Sequence, residues 1–376
     1  MTVDLSLAAT ASTSRPLRAI RLLGSDHPFI DAFANTGVFQ SKPFLAAISK
    51  SLCTDEHRDL VLIGVTNAAH VPIALFPFVR RRVFGARVIE GLDLAVTDYF
   101  APPINADIGG NDVWLAALSA LPPADAIVFR KLPLALHGRP HALSEAPFLK
   151  PMGAAAYTAR MFNDDGKPIL ASDLPVARDA RRKLRRLEAM GTVTFDEAVS
   201  ETEVTEALDR LLDFRVTRFE GMGRRDILAG PDYREFYRRL AIAPPRPGRL
   251  FSLKVADETI AVIYAMLHGD TITLVIPSMS PATHWQVASP GMVALYKLYE
   301  WALAKGLTIF DFSVGSSAYK ARFNTEKIEL YEYQRALTPL GLLVVLEATL
   351  RRTARRFAVD NPRYRLPLER LKEIFG

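Results

Sequence analysis

One pattern occurs twice in this chain, and the recurrence constrains the fold more than any single motif. Residues 59–81, DLVLIGVTNAAHVPIALFPFVRR, read as two strands around a turn at 67–71. Residues 249–278, RLFSLKVADETIAVIYAMLHGDTITLVIPS, read as three strands around turns at Asp257-Glu258 and Gly269-Asp270. In the second unit Phe251, Leu253 and Val255 alternate, then Ile260, Val262, Tyr264 and Met266, then Ile272, Leu274 and Ile276. That is the period of strands with one buried face. The Ile-Ala pairs at 73-74 and 260-261 stand 260 − 73 = 187 residues apart, half of a 376-residue chain. Each half then sets a helix before another strand. Asn111 or Asp112 can cap VWLAALSAL, and DAIVFRKL follows. In the second half, Met292, Leu295, Leu298, Tyr299 and Ala302 share helical spacing within SPGMVALYKLYEWALAKG. Gly306 stops that helix and LTIFDFSVG follows. Strand, helix, strand at this spacing makes a parallel crossover.

The expected fold is therefore α/β: tandem domains with the same strand order, each a mixed twisted sheet flanked by helices. The expected parts are a flexible N-terminus over 1–17, a first domain over 18–170, a basic linker helix over 171–191, a second domain over 192–340, and basic amphipathic C-terminal helices over 341–376. Composition agrees with large cores, at 49% hydrophobic and 23% charged residues. Cys53 is the only cysteine, which excludes an internal disulfide framework and a cysteine-built metal site. A reducing cytoplasm fits. The first twenty residues show no basic segment followed by an apolar one, as a secretory leader would. The apolar run LGLLVVLEATL is too short to span a bilayer.

A formal charge of +6 and a pI near 9.4 suit acidic partners: a nucleotide, anionic glycans, anionic lipid or nucleic acid. Arginines and Lys183 crowd residues 181–186 of the linker helix, which Asp173 is placed to cap. They form either a solvated face or a contact for a polyanion. Near the C-terminus Leu343, Leu346, Leu350, Ala354 and Phe357 share a helix face, with Arg351, Arg352, Arg355 and Arg356 away from it. That face either docks on the protein's own domains or lies on anionic lipid.

The chemistry concentrates in FDFSVGSSAYKARF, residues 310–323. A strand ends in a glycine turn that at once presents Tyr319, Lys320 and Arg322. Ligands of parallel crossover units bind at the carboxyl ends of the strands. The other such end leads through SPATHWQVASPG to Ser289, Pro290 and Gly291 at a helix start. Proline suits the first turn, glycine allows close approach, and free N–H groups favour an anion such as a pyrophosphate. His284 and Trp285 in the same loop could line an acceptor cleft. No His or Cys spacing points to a metal, and Cys53 has no histidine at an informative spacing.

The order of these parts resembles the core of the GNAT acyltransferases. RRKLRRLEAMGTVTF, SPGMVALYKLYEWALAKGLTIFDFSVGSSAYKARF and the DYF at 98–100 look like the FemAB-like branch with tandem GNAT domains, often called CelD-type cellulose-biosynthesis acetyltransferases. The likeness is best over residues 173–338, and Asp98-Tyr99 is the main match in the first half. The usual glycine-rich pyrophosphate signature is absent, and ASPG stands in its place. The resemblance implies an acyl donor, acetyl-CoA or another acyl-CoA, between the ends of two parallel strands. An amine or hydroxyl would attack it directly. In that picture Tyr319 protonates the leaving thiolate, and Asp311 or Asp98 takes the acceptor's proton. Ser289, Pro290, Gly291, Lys320 and Arg322 hold the donor, while Tyr99, His284 and Trp285 meet the acceptor. The acceptor implied is a cell-envelope or exopolysaccharide sugar precursor, handled in the cytoplasm or at the inner membrane, and nucleic acid is not an expected partner. The alternatives are a Fem-type aminoacyl transfer to a peptidoglycan precursor and a non-catalytic subunit of a polysaccharide synthase.

Overall fold

The recurrence in the sequence becomes a two-fold repeat in space. The computed structural model describes residues 17–33, 36–55, 57–105, 110–144, 146–315 and 318–360, without the side chains of 351–360. The first half runs β1 (Arg18–Leu22), α1 (Lys42–Ser51), β2 (Arg58–Thr66), β3 (Pro72–Val83), β4 (Ala86–Gly91), α2 (Gly110–Ser119), β5 (Ala126–Pro133) and β6 (Lys150–Arg160). The second runs α3 (Ala177–Glu188), β7 (Val193–Glu197), α4 (Glu201–Glu220), α5 (Pro231–Ile242), β8 (Gly248–Val255), β9 (Glu258–His268), β10 (Thr271–Met279), α6 (Thr283–Gln286), α7 (Pro290–Ala304), β11 (Ile309–Val314), β12 (Glu326–Ala336) and α8 (Pro339–Asp360).

In each half three antiparallel strands lead into one parallel pair with a helix between its members. β4 pairs with β5 from Val88↔Ala126 to Glu90↔Val128, and β10 with β11 from Thr271↔Ile309 to Thr273↔Asp311. The offset between the halves is the same for both members: 271 − 88 = 183 and 309 − 126 = 183. One strand earlier, Arg81 pairs with Val88 and His268 with Thr271. Here the offset is 268 − 81 = 187, the spacing of the two Ile-Ala pairs, so Ile73 and Ile260 hold equivalent places. The first half's longer turn between these strands accounts for the difference.

The halves do not carry separate sheets. All twelve strands form one, in the order β1-β2-β3-β4-β5-β12-β6-β11-β10-β9-β8-β7. Its centre is an exchange. β6, which follows the first half's β5, lies beside β11; β12, which follows the second half's β11, lies beside β5; β6 and β12 pair antiparallel with each other.

The cores follow the same logic. One apolar cluster takes in the first half, α4, α5 and one face of the second half's sheet, including Phe44, Phe236, Tyr237 and Tyr264. A second cluster fills the opposite face beneath α3 and α7 with Phe251, Tyr299, Phe310 and Phe312. β11 separates the two environments: Phe310 and Phe312 face α7, while Asp311 and Ser313, alternating with them, meet the first half.

Two helices differ from expectation. Asp173 belongs to a short 3-10 turn, and α3 starts at Ala177 with Val176 as its N-cap. On α8 the leucine face expected to dock is exposed: Leu343, Leu346 and Leu350 are 61%, 49% and 69% accessible. The helix docks instead through Gly341, Val344 and Ala348. A Cβ at Gly341 would stand 1.7 Å from the Asp125 carbonyl oxygen, so only glycine lets the helix approach this closely. Residues 1–16, 361–376 and the side chains of Arg351, Arg352, Ala354, Arg355, Arg356 and Phe357 lie outside the described residues.

Candidate functional site

The parallel strands of the second half pair as far as Thr273↔Asp311 and then part. Just past the fork the register of β10 against β9 shifts between Leu274 and Ile276. This bulge leaves Val275 without a partner on β9, where β11 has already diverged, so its backbone can turn a polar group into the fork. On the α7 side, the helix starts as the sequence indicates: Ser289 takes a left-handed conformation at φ 46°, and Pro290 opens the first turn. A Cβ built on Gly291 would stand 3.2 Å from the end of the Met279 side chain, the one group that lies over the backbone there. Tyr319 packs on this same side, its ring 6.4 Å from Phe312. Burial raises its phenol above the ordinary value, and among the described residues its hydroxyl has no hydrogen-bond partner.

A buried polar network lies on the other face of β11. Asp311 is fully buried. Its Oδ1 accepts from the Tyr99 hydroxyl at 2.8 Å and from the Ser313 N–H at 2.7 Å, and its Oδ2 stands 3.0 Å from His137 Nε2. Ser313, at φ 61°, sits where the register of β11 against β6 shifts. The bulge turns its hydroxyl toward Asp98, to which it donates. Asp98 is raised above the usual carboxylate range, first by burial and then by Asp311 and Asp93; Lys131 and the Ser313 bond oppose the shift. Burial and the Asp311 charge push the Tyr99 phenol well up, so it stays a donor. Lys131, itself left-handed near the end of β5, donates to Asp93 Oδ1 at 2.9 Å and to the Thr97 carbonyl at 2.6 Å. The ends of the two repeats thus meet, and residues more than 200 apart in sequence share one hydrogen-bond network.

Residues 176–321 match the family described as acetyltransferase (GNAT) domain. The forked parallel pair lies within that segment. The fold is GNAT-like. Among solved structures, FemX is similar with a TM-score of 0.55 at 14% identity, over 87% of this chain and 99% of FemX. A tandem GNAT protein from the clavulanic acid biosynthesis pathway is similar at a TM-score of 0.45 and 9% identity, over 85% of this chain and 98% of that one. The C-terminal domain of a putative lysylphosphatidylglycerol synthetase from Agrobacterium fabrum follows at 0.49 and 13%, over 85% and 93%. No curated protein matches the sequence.

Within the GNAT-like half, several expected site residues stand elsewhere than the sequence suggests. Lys320 points inward. It is 3% exposed, its Nζ donates to the carbonyls of Ser313 at 3.0 Å and Val314 at 3.2 Å, and it lies over the Tyr157 ring. It holds the turn rather than reaching a phosphate. Arg322 bonds Asp179 on α3 at 3.1 Å, which ties the post-strand turn to the linker helix. Trp285 is a core residue, 5% exposed, its indole N–H donating to Glu258 at 2.7 Å; it does not line a cleft. His284 is exposed against it. Tyr99, Asp98 and Asp311 come together as one group.

The sequence reading missed His137. It forms, with Gly138, the tip of a tight turn in which Leu136 and Arg139 exchange both backbone bonds. Both tip residues have positive φ, 52° and 76°, the conformation of a type I′ turn. The HG pair was the available signal for the turn. His141 anchors the same loop: burial drops its imidazole to about 4, and its Nε2–H donates to the Pro133 carbonyl. His137 and Tyr99 line a cavity of about 640 Å³ between the halves, with Thr271 and Thr273 of β10 forming another wall. Among the described residues no cluster of His, Cys, Asp and Glu could hold a metal ion, and no helix is long and apolar enough to cross a membrane.

Proposed function

We propose that this protein is an acyltransferase of the GNAT type. It would move an acyl group from acetyl-CoA or another acyl-CoA to an amine or hydroxyl by direct attack. The observation that carries the reading is the fork of β10 and β11 with the α7 N-terminus beside it, inside the segment that matches the GNAT family. Free N–H groups in the first turn of α7 suit the donor's pyrophosphate. The bulge at Val275 suits the thioester oxygen, where charge develops during attack. Tyr319 stands on the α7 side, where the thiolate would leave, and the Asp311 group stands on the opposite face. A cell-envelope or exopolysaccharide sugar precursor is the acceptor class we favour. The exposed leucines of α8, followed in sequence by four arginines, support peripheral contact with anionic lipid, which suits a lipid-carried precursor.

A Fem-type transfer is the second reading, and the likeness to FemX across that whole chain supports it. Only residues 221–230 separate α4 from α5. That leaves no room for the long helical hairpin that tRNA-using Fem enzymes often insert. Calorimetry with acetyl-CoA, free CoA and aminoacyl-tRNA separates the two readings. Acetyl-CoA binding supports the first, and binding of aminoacyl-tRNA without CoA overturns it. Incubation with labelled acetyl-CoA and a panel of sugar-nucleotide and lipid-linked precursors, read by mass spectrometry, then identifies the acceptor.

A further inference from the structure

We propose that His137, held by Asp311, is the base that takes the acceptor's proton, and that the cavity between the halves presents the acceptor to the fork. The inference rests on the acyltransferase reading and names the residue that completes it. Three observations carry it.

The first is the hydrogen-bond direction. Asp311 already receives the Tyr99 hydroxyl and the Ser313 N–H. A buried carboxylate fed by donors is an acceptor, so His137 Nε2 carries the proton and donates it to Oδ2. In the neutral ring Nδ1 is then the basic nitrogen. Among the described residues it makes no hydrogen bond.

The second is position. Asp311 belongs to the last pair before β10 and β11 part, so its ligand His137 stands at the fork itself. The cavity wall includes Thr273, the pairing partner of Asp311, two residues before the bulge at Val275. The cavity thus reaches the last paired position, next to the place where the donor's carbonyl would lie.

The third is rigidity. His137 is fixed by a two-residue turn whose backbone conformation is set by Gly138 and by the bonds of Leu136 to Arg139. Its ring meets Tyr99 edge-on at 6.4 Å. Base, orienting carboxylate and second donor form a chain, the arrangement that activates a nucleophile in hydrolytic triads. Here the nucleophile is the acceptor itself. Its nitrogen or oxygen forms a bond to the carbonyl carbon and its proton passes to Nδ1. The C–S bond breaks, and its electron pair leaves on the thiolate.

Bromoacetyl-CoA tests this without knowledge of the acceptor. Bound as a donor, it places an electrophilic carbon beside the base. Imidazole Nδ1 attacks that carbon, a C–N bond forms, and bromide departs with the C–Br electron pair. The Cys53→Ser protein removes the single thiol as a competitor, and peptide mass mapping reads the site. The expected result is one alkyl group on His137, suppressed by excess acetyl-CoA and absent in His137→Gln. Asp311→Asn can donate where the carboxylate accepts, which moves the ring proton to Nδ1; alkylation should fall at least tenfold while calorimetry shows acetyl-CoA still bound. If acetyl-CoA binds but the label lands on another residue, or on none, the assignment of His137 is overturned and the acyltransferase reading stands. If neither CoA ester binds, the acyltransferase reading falls and this inference with it.

Discussion

Lys320, expected to hold the donor, turns its ammonium inward at the end of β11. Its stem lies under the post-strand turn and its ammonium caps two carbonyls. Burial lowers its pKa to about 8, although Asp311 and Asp98 both pull it upward. Below about pH 8 the folded and unfolded chains both hold this proton. Between there and the ordinary value near 10.5 the folded chain has released it and the unfolded chain has not. The group's contribution to stability therefore rises with pH across that window. Lys320→Met removes the titration, so the melting temperature of the wild type should gain on the variant between pH 7.5 and 10. A gap that stays flat would mean the ammonium is not buried as described. Tyr319 calls for a different test, because its proposed role lies in the transition state. Tyr319→Phe keeps the ring against Phe312 and removes only the proton donor. Turnover should fall by roughly 10²–10⁴-fold, with donor affinity and melting temperature little changed. The loss should shrink for donors whose thiol is a better leaving group. Normal turnover in a stable variant would return Tyr319 to the scaffold.

At the scale of elements, runs and repeats of large apolar residues were enough to find β2, β3, β8 to β11, α2 and α7, and β2, β3 and β9 are buried on both faces over most of their length. The central strands escaped for a physical reason. β6 reads KPMGAAAYTAR, small side chains with no alternation of bulk, and it is only partly buried. β12 alternates charge with apolar residues and borders the other half of the chain. What places both is their neighbours, which local pattern does not encode. The site shows the same division. Asp98, Tyr99 and Asp311 were recognisable by motif, but His137 acquires meaning only through a carboxylate 174 residues away. α8 gives the sharpest lesson, since its two apolar faces are alike in period and opposite in use. Gly341→Ala should gain about 1 kcal/mol from helix propensity. The new methyl would strike the Asp125 carbonyl, and overpacking of this kind costs about 1–3 kcal/mol. The expected net result is a lower melting temperature. Leu346→Glu, on the exposed face, should leave the melting temperature within a degree or two. The opposite ranking in thermal denaturation would mean that the leucine face is the docked one.

For the whole molecule, the exchange of β6 and β12 decides what can fold alone. A second domain cut at the expected boundary, residues 171–376, would contain the GNAT-matching segment but lack β6. Its β11 would then be an open edge, and its β12 would have no strand on either side. One face of β9 and β10, with α4 and α5, would also lose the first half's core residues. Residues 1–170 would have the converse defect, with β6 unpaired and β5 exposed at the new edge. Unpaired edges backed by apolar surface lead to aggregation. The network around Asp311 would be divided too, since Tyr99, Asp98 and His137 belong to one fragment and Asp311 and Ser313 to the other. Each fragment expressed alone should therefore be insoluble or melt without cooperativity. Expressed together, they should assemble into a soluble pair in which each regains its missing strand, and acetyl-CoA should bind the pair with near wild-type affinity. If residues 171–376 alone melt cooperatively and bind the donor as the full chain does, then the exchanged strands and the shared core are dispensable for folding and donor binding. The second half would then be an autonomous donor-binding domain, and the first half's strand and core contacts would be needed only for steps after the donor is bound.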